Sequence, residues 1–255
     1  IWNSLIFKHH SLIRSRVICD PGLFGLSYFG YDWIDKKMSV SIDEVEALNK
    51  QDVWAFDRIA LNQSVSQRFQ ARDISDWSMN ISLFAPILLF LDKDIRRDWL
   101  DISLLYLETQ SINSNLYAFG GPLLVDRIRP LAYYEELSME EKRKEGTKDS
   151  FFSGHVSWTA GASFFMAKVI SDYHPELGPK KWLVYLGAMV PPMFVGYFRI
   201  RGLKHFPTDV MVGTAVGAAT GILTPHLHKR KIIKNNISIA PFTGDYAGFS
   251  FRMKF

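Results

Sequence analysis

Apolar residues along the chain are concentrated in five long segments that all begin after residue 76. The segments cover residues 77–91, 99–125, 155–173, 182–198 and 210–228. The last two contain no Asp, Glu, Lys or Arg over 17 and 19 residues. Because a helix needs about 17 to 25 apolar residues to cross a bilayer, these two are long enough to span it and the first is marginal. The pattern therefore predicts a bundle of helices with a membrane-embedded part.

Polar connections between the apolar segments predict how their ends are grouped. Residues 92–98 and 174–181 are charged turns, and residues 126–152 form a polar loop. If the segments cross a membrane alternately, the loops at 126–152 and 199–207 lie on one side. The turns at 92–98, 174–181 and 229–234 then lie on the other side.

Three glycines recur at intervals of four residues in the last apolar segment, at Gly213, Gly217 and Gly221. A stripe of small residues lets the backbones of two helices approach closely, in lipid or in a tightly packed soluble core. Glycine costs roughly 1 kcal/mol in the interior of a soluble helix, so the membrane interpretation is favoured.

The two ends of the chain have a different pattern of apolar and polar residues from the apolar segments. Residues 41–72 carry apolar side chains at roughly helical spacing and predict an amphipathic helix. Residues 232–255 alternate between apolar and polar and predict a short β-hairpin-like tail. We therefore divide the chain into an N-terminal amphipathic or irregular region (1–76), a helical domain (77–231) and a C-terminal tail (232–255).

Composition narrows the possible functions only slightly. The formal net charge is +4, which is compatible with an anionic substrate or an anionic lipid surface. The basic residues do not form a stripe interleaved with aromatic ones, so no nucleic-acid partner is expected. Cys19 is the single cysteine, which excludes an intrachain disulfide. The paired histidines at 9–10 and 226–228 lack further ligands at metal spacing, and we predict neither a metal nor a cofactor.

Three short motifs at the ends of apolar segments carry the candidate chemistry. They are Arg-Ile-Arg-Pro at 127–130, Ser-Gly-His at 153–155, and a stretch at 199–209 that contains Arg199, His205 and Asp209. Metal-free phosphoryl transfer needs donors for the phosphate oxygens, a nucleophile attacking in line, and an acid for the leaving oxygen. Arginine suits the first role, and histidine suits the other two because its pKa lies near neutrality.

The spacing within the motifs fits those roles. Four residues separate His205 from Asp209, so the carboxylate can reach the ring and fix its tautomer. Ser153 and Gly154 precede an apolar segment, where the N-terminus of a helix is a natural anion site. Each motif alone is weak, and their order and placement make the set specific.

Together the motifs resemble the signature of the type-2 phosphatidic acid phosphatase (PAP2) superfamily. That signature is Lys-x6-Arg-Pro, Pro-Ser-Gly-His and Ser-Arg-x5-His-x3-Asp, and the resemblance spans about residues 77–228. It implies an all-α, membrane-embedded helical bundle of the PAP2 and haloperoxidase type. It also implies that His205 forms a phosphohistidine, Asp209 orients His205, and His155 protonates the leaving group.

The resemblance further implies a set of phosphate-binding residues: Arg129, Ser153, the Gly154 N–H and Arg199. The chain departs from the signature at Pro122, Phe152 and Phe198, where the signature has lysine, proline and serine. The missing lysine removes a phosphate-binding cation. Arg127 and Lys204 are the candidate replacements, and Arg127 is included among the predicted phosphate-binding residues.

The resemblance implies an integral membrane phosphatase of a bacterial envelope, with its active site on the extracytoplasmic side. The expected substrate is a lipid phosphate monoester or pyrophosphate: phosphatidic acid, phosphatidylglycerol phosphate, undecaprenyl pyrophosphate or lipid A phosphate. Two alternatives stay open. One is a soluble acid phosphatase or vanadate haloperoxidase-like enzyme, and the other is a non-catalytic envelope protein on the same fold.

Overall fold

The computed structural model describes residues 40–144 and 146–229, together with the backbone of two short strands near the C-terminus. Within these ranges the chain forms nine α-helices. They are α1 (Ile42–Glu46), α2 (Arg68–Phe84), α3 (Lys93–Arg96), α4 (Trp99–Gly120), α5 (Met139–Lys142), α6 (Gly154–Tyr173), α7 (Lys181–Ala188), α8 (Val190–Arg201) and α9 (Pro207–Lys229). Turns of 3₁₀ helix occur at Lys50–Asp52, Asp57–Leu61, Val65–Gln67, Ala85–Leu91, Pro130–Tyr133 and Pro175–Lys180.

The amphipathic helix predicted over residues 41–72 is wrong, because α1 has only five residues and α2 begins at Arg68. Polar side chains bind the backbone locally and compete with a continuous helix. Ser41 and Glu44 form a capping box, and the Asn49 side chain accepts a backbone N–H two residues later at 2.9 Å. Helix α2 then continues through residue 76, where we predicted the boundary between the N-terminal region and the helical domain.

Helix α6 lies at the centre of the bundle and is buried on nearly every side. Most of its residues are small or apolar, and they occur around the whole circumference, which is typical of a helix surrounded by protein. Phe165 and Val169 pack with Ile102 and Leu105 of α4 in the largest apolar cluster. Because α6 begins at Gly154, its central position brings the Ser-Gly-His motif to one end of the bundle.

The glycine stripe of α9 lies directly against the backbone of α6. A Cβ atom on Gly217 would lie 2.1 Å from the carbonyl oxygen of Ser157. One on Gly213 would lie 2.6 Å from the carbonyl oxygen of Ser153. The predicted close approach of two backbones is therefore confirmed, and it sets α9 and the start of α6 side by side.

Replacing Gly217 by alanine is expected to lower the melting temperature of the protein in detergent. The added methyl group overlaps the Ser157 carbonyl and forces α9 away from α6, at a cost of about 1–3 kcal/mol. Gly187→Ala in α7 is the matched control, because nothing lies within 4 Å of its Cβ position. Equal melting temperatures for the two variants would contradict the close packing.

Among the residues that the structure describes, three helical segments are long and apolar enough to cross a membrane: Val65–Leu91, Pro175–Arg201 and Pro207–His228. Only 17%, 28% and 33% of their most apolar windows are buried within the protein. Large apolar side chains such as Trp77 and Ile81 are 72% and 68% exposed. An apolar surface of this kind suits contact with lipid. The first segment is longer than its sequence pattern indicated, since α2 and the following 3₁₀ turn form one span.

The ends of the bundle are grouped as the sequence predicted, within the described residues. At one end the N–H of Leu131 donates to the carbonyl oxygen of Leu203 at 3.2 Å, which joins the loops at 126–152 and 199–207. At the other end His174 contacts the Asp92 carboxylate at 3.0 Å. The three motifs consequently lie at one end of the bundle.

Near the C-terminus the backbone forms an antiparallel pair of strands, β1 (Ile237–Phe242) and β2 (Gly248–Met253). Ile239 is opposite Phe251 in the register. The pair agrees with the strands predicted in the tail. The predicted turn between them and the basic flank after α9 lie outside the described residues.

Candidate active site

The structure brings the three sequence motifs together around His205. This histidine lies in the loop between α8 and α9 and is only 2% exposed. Asp209 is in the first turn of α9, and Ser153 precedes α6. The backbone N–H of Ser153 donates to the carbonyl oxygen of Asp209 at 3.1 Å, which ties the second motif to the third.

The hydrogen bond of His205 defines which ring nitrogen can react. Nδ1 lies 2.7 Å from the carbonyl oxygen of Ser150. A carbonyl only accepts, so Nδ1 carries the hydrogen and Nε2 has a free lone pair. Burial, together with the nearby Arg199 and Arg129, holds the pKa of His205 well below its ordinary value. The ring is therefore neutral at pH 7, which is the state a nucleophile requires.

Asp209 acts on His205 through Ser150 instead of contacting the ring. Its Oδ2 accepts from the Ser150 hydroxyl at 2.7 Å and from the N–H of Phe206 at 2.8 Å. Its Oδ1 accepts from Arg127 at 2.5 Å. The carboxylate bends back over the start of α9 to reach the Phe206 N–H, so a carbonyl takes the place beside Nδ1 that the sequence assigned to Asp209. Ser150 carries no distinguishing sequence pattern, and sequence reasoning missed it.

The structure pairs Arg127 with carboxylates, whereas the sequence predicted a phosphate-binding role for it. Its guanidinium donates to Asp209, to Asp57 at 2.6 Å and to the Thr208 hydroxyl at 2.7 Å. It also stacks 4.3 Å from the centre of the Phe206 ring. Two buried carboxylates and a hydroxyl therefore engage Arg127, a pattern that favours a bracing role, and its phosphate-binding role stays a prediction.

Asp57, which sequence reasoning also missed, joins the irregular region before α2 to the third motif. Its carboxylate accepts from the N–H of Thr208 at 2.9 Å and from the Thr208 hydroxyl at 2.6 Å, besides binding Arg127. The side chain is 2% exposed. No spacing in the sequence links residue 57 to residue 208, so only the fold reveals this contact.

His155 and Arg199 share a third carboxylate that the motifs do not contain. Oδ1 of Asp76 lies 2.9 Å from Nε2 of His155 and 3.0 Å from Nη1 of Arg199. An ionised carboxylate only accepts, so Nε2 of His155 carries a hydrogen. Asp76 lies one residue before the first apolar segment, and a charge at that boundary was the only sequence signal for it.

Three of the predicted phosphate-binding side chains have a buried polar atom without a hydrogen-bond partner among the described residues. These atoms are Oγ of Ser153, Nε of Arg129 and Nε of Arg199. Gly154 adds the first free N–H groups of α6, where the Ser153 side chain makes no capping bond. Buried donors are rarely left unpaired, so this set is suited to hold the oxygens of an anion.

Lys204, the second candidate for the missing lysine, lies in a cation-lined cavity that it shares with Arg129. Arg129 also forms an ion pair with Asp149. Over residues 40–144 and 146–229, no group of three or more His, Cys, Asp and Glu side chains is placed to hold a metal ion.

A family model described as PAP2 superfamily matches residues 79–233, which is more than half of the chain. The chain belongs to the PAP2 superfamily. All three motifs lie inside the match, and the predicted all-α PAP2 bundle is thereby confirmed. Asp57 and Asp76 lie ahead of the matched residues, so the PAP2 signature alone does not contain them.

The chain is also similar to phospholipid phosphatase 1 of Mus musculus and of Rattus norvegicus. It is 36% identical to the mouse protein and 32% identical to the rat protein, over 89 residues in each case. The alignments cover 33% of this PAP2 chain and 30% of each relative. The matched stretch thus spans less than a third of the length of these relatives.

Among solved structures, the chain is similar to a transmembrane PAP2-type phosphatidylglycerolphosphate phosphatase from Bacillus subtilis. The two chains are 20% identical and superpose with a TM-score of 0.46. The superposition covers 84% of this chain and 97% of the other.

Proposed function

We propose that the protein is an integral membrane phosphatase that hydrolyses the phosphate of a lipid, with His205 as nucleophile and His155 as general acid. The observation that carries the proposal is the set of unpaired buried donors of Ser153, Arg129 and Arg199. These donors belong to the same three motifs as His205, whose Nε2 is free to attack. PAP2 membership and the three apolar helical spans support a substrate that lies in a membrane.

The proposed reaction has two steps and consumes one water molecule. In the first, Nε2 of His205 attacks phosphorus, the bond to the lipid oxygen breaks, and His155 donates its proton to that oxygen. In the second, water attacks the phosphohistidine, His155 takes a proton from the water, and phosphate leaves. The donors of Arg129, Arg199 and Ser153 hold the three other phosphate oxygens throughout.

Asp76 has to release His155 and Arg199 when a substrate binds. Its carboxylate lies against Nε2 of His155 and against Arg199, which are the groups that the substrate would contact. The entering phosphate and the Asp76 carboxylate therefore compete for the same donors. In the resting protein, burial and the nearby Arg199 lower the pKa of His155 to about 4, so its ring is neutral. The negative charge of the entering phosphate raises that pKa and lets the ring hold the second proton, which the leaving oxygen then takes.

The candidate substrates are phosphatidic acid, phosphatidylglycerol phosphate, undecaprenyl pyrophosphate and lipid A phosphate. We place the protein in a bacterial envelope with its active site on the extracytoplasmic side, as the PAP2 resemblance implies. Phosphate release from this panel in mixed micelles, with and without EDTA, tests both the activity and its independence of metal. Release that EDTA leaves unchanged is expected. Release from none of the four lipids would contradict the proposed function, and loss in EDTA would contradict the metal-free mechanism.

His155→Ala is expected to reduce hydrolysis of a lipid phosphate by about 10²–10⁴-fold, because an alkoxide leaves poorly without a proton. The same variant should lose much less activity on p-nitrophenyl phosphate, whose phenolate leaves readily without one. The measurement is kcat/KM on both substrates. His174→Ala, at the opposite end of the bundle, is the matched control. An equal loss on the two substrates would assign His155 to binding and not to proton donation.

A further inference from the structure

The cation-lined cavity that contains Lys204 adjoins the candidate active site, with which it shares Arg129. Its volume is about 80 Å³, and its charged lining consists of Arg68, Arg72, Arg129, Lys144, Lys204 and Glu141. Pockets for drug-sized ligands are typically about 300–1,000 Å³, so this one suits a single small anionic group. The family match begins at residue 79, which leaves Arg68 and Arg72 outside the PAP2 signature.

Positive charge in the cavity is only partly balanced. Arg68 pairs with Glu141 at 2.6 Å, and Arg129 pairs with Asp149. The other three basic side chains, Arg72, Lys144 and Lys204, form no ion pair with a carboxylate in the part of the chain that the structure describes, and the two of them that stay charged at pH 7 are Arg72 and Lys144. An anion entering the cavity would meet this excess charge in a partly buried setting, where electrostatic attraction is stronger than in water.

Lys204 and Arg72 are held close together by the fold. A Cβ atom on Gly202 would lie 2.9 Å from Cγ of Arg72, so the glycine leaves room for the arginine stem to cross the loop that carries Lys204. Burial lowers the pKa of Lys204 to about 6, with further contributions from Arg129 and Arg72. A bound anion would raise this pKa and draw a proton onto the lysine.

The cavity is connected to the reaction centre through Arg129. This arginine lines the cavity, has a buried Nε without a partner among the described residues, and acts electrostatically on His205. Lys204 is the residue immediately before His205. A group bound in the cavity would therefore be a near neighbour of the phosphate that His205 attacks.

We propose that this cavity binds the inner phosphate of a lipid diphosphate while His205 attacks the outer phosphate. The proposal rests on the proposed function and specifies its substrate class. Attack by Nε2 breaks the bond between the outer phosphorus and the bridging oxygen, and the lipid monophosphate leaves with the electron pair. Negative charge grows on the bridging oxygen and the inner phosphate, where Lys204 and Arg72 stabilise it.

The first experiment compares one polyprenyl chain as its diphosphate and as its monophosphate in the same micelles. Lys204→Gln and Arg72→Gln are each expected to lower kcat/KM on the diphosphate by about 10–100-fold, the range for a lost hydrogen bond to a charged group. On the monophosphate the expected loss is about 3-fold or less, from the weaker local field. Arg97→Gln is the control, since Arg97 is 77% exposed and lies at the other end of the bundle.

Equal losses on the two substrates would overturn the proposal and assign Lys204 to the transferred phosphate. Unchanged kinetics in both variants would overturn it as well, because the cavity would then bind no part of the substrate.

A binding experiment keeps the proposal testable if neither lipid is hydrolysed. Inorganic pyrophosphate and phosphate are titrated into the protein in detergent, and affinity is measured by calorimetry. The wild type is expected to bind pyrophosphate about 10-fold or more tightly than phosphate, and Lys204→Gln should remove that preference. Equal affinities in the wild type would overturn the subsite. If the wild type prefers pyrophosphate to phosphate but hydrolyses neither lipid, only the proposed function is contradicted.

Discussion

Replacing His205 by alanine is expected to reduce phosphate release from every lipid substrate by at least about 10⁴-fold, because the attacking atom is removed. The ring is buried, neutral and held at Nδ1 by the Ser150 carbonyl, so Nε2 is the only nitrogen left to form a bond to phosphorus. A substrate whose leaving group needs no proton should not restore activity to His205→Ala, because the nucleophile is still missing. The variant should be equally inactive on p-nitrophenyl phosphate, unlike His155→Ala.

A rapid-quench experiment with a ³²P-labelled substrate checks the same residue directly. The wild type should carry label that is lost in acid and retained in base, as expected for a phosphohistidine, and His205→Ala should carry none. His226→Ala, in the last part of α9, is the matched control and should be labelled like the wild type. Turnover by His205→Ala within about tenfold of the wild type would exclude His205 as the nucleophile.

Replacing Arg127 by methionine is expected to lower the free energy of unfolding by about 3–5 kcal/mol, the usual loss when one partner of a buried ion pair is removed. Asp57 and Asp209 would keep side chains that are 2% and 0% exposed, with no cation between them. Unfolding followed by circular dichroism in detergent measures the effect. The double variant Arg127→Met/Asp57→Asn should recover part of the lost stability, because it removes one of the two uncompensated charges.

The control for Arg127 is Arg97→Met. Arg97 is 77% exposed and pairs with an exposed Asp94, so its loss should change stability by about 0.5 kcal/mol or less. Suppose instead that Arg127→Met melts like the wild type and loses only substrate affinity. Arg127 would then contact the substrate, as its position in the first motif predicts, and the bracing role would be excluded.

The region ahead of the family match contributes directly to the candidate site. Asp57 binds Arg127 of the first motif and Thr208 beside the third, and Asp76 binds His155 and Arg199. The sequence assigned both carboxylates to a separate N-terminal region. Their contacts make residues 40–76 part of the candidate site, so removing these residues should unfold or inactivate the protein and not merely shorten it.

The sequence alone determined the helical bundle, the close contact of two helices and the identity of the central histidine. These features depend on local patterns, because apolar length, glycine spacing and the Arg-x5-His-x3-Asp spacing are all read within a single segment. The grouping of the loops followed from alternation along the chain. His205 was predicted from residues within six positions of it, and the structure places all of them around one site.

Only the tertiary structure decided which charged groups meet. Arg127 and Arg129 are two residues apart in one motif. Arg127 nevertheless lies between two carboxylates, whereas Nε of Arg129 has no partner among residues 40–144 and 146–229. The carboxylates that bind Arg127 belong to Asp57 and Asp209, which are far from it in the sequence. The composition and the local spacing of the sequence are the same whether these carboxylates bind Arg127 or Arg129. Which arginine binds which carboxylate depends on burial and distance after folding. The same factors place the Ser150 carbonyl against His205 and Lys204 in the cation-lined cavity.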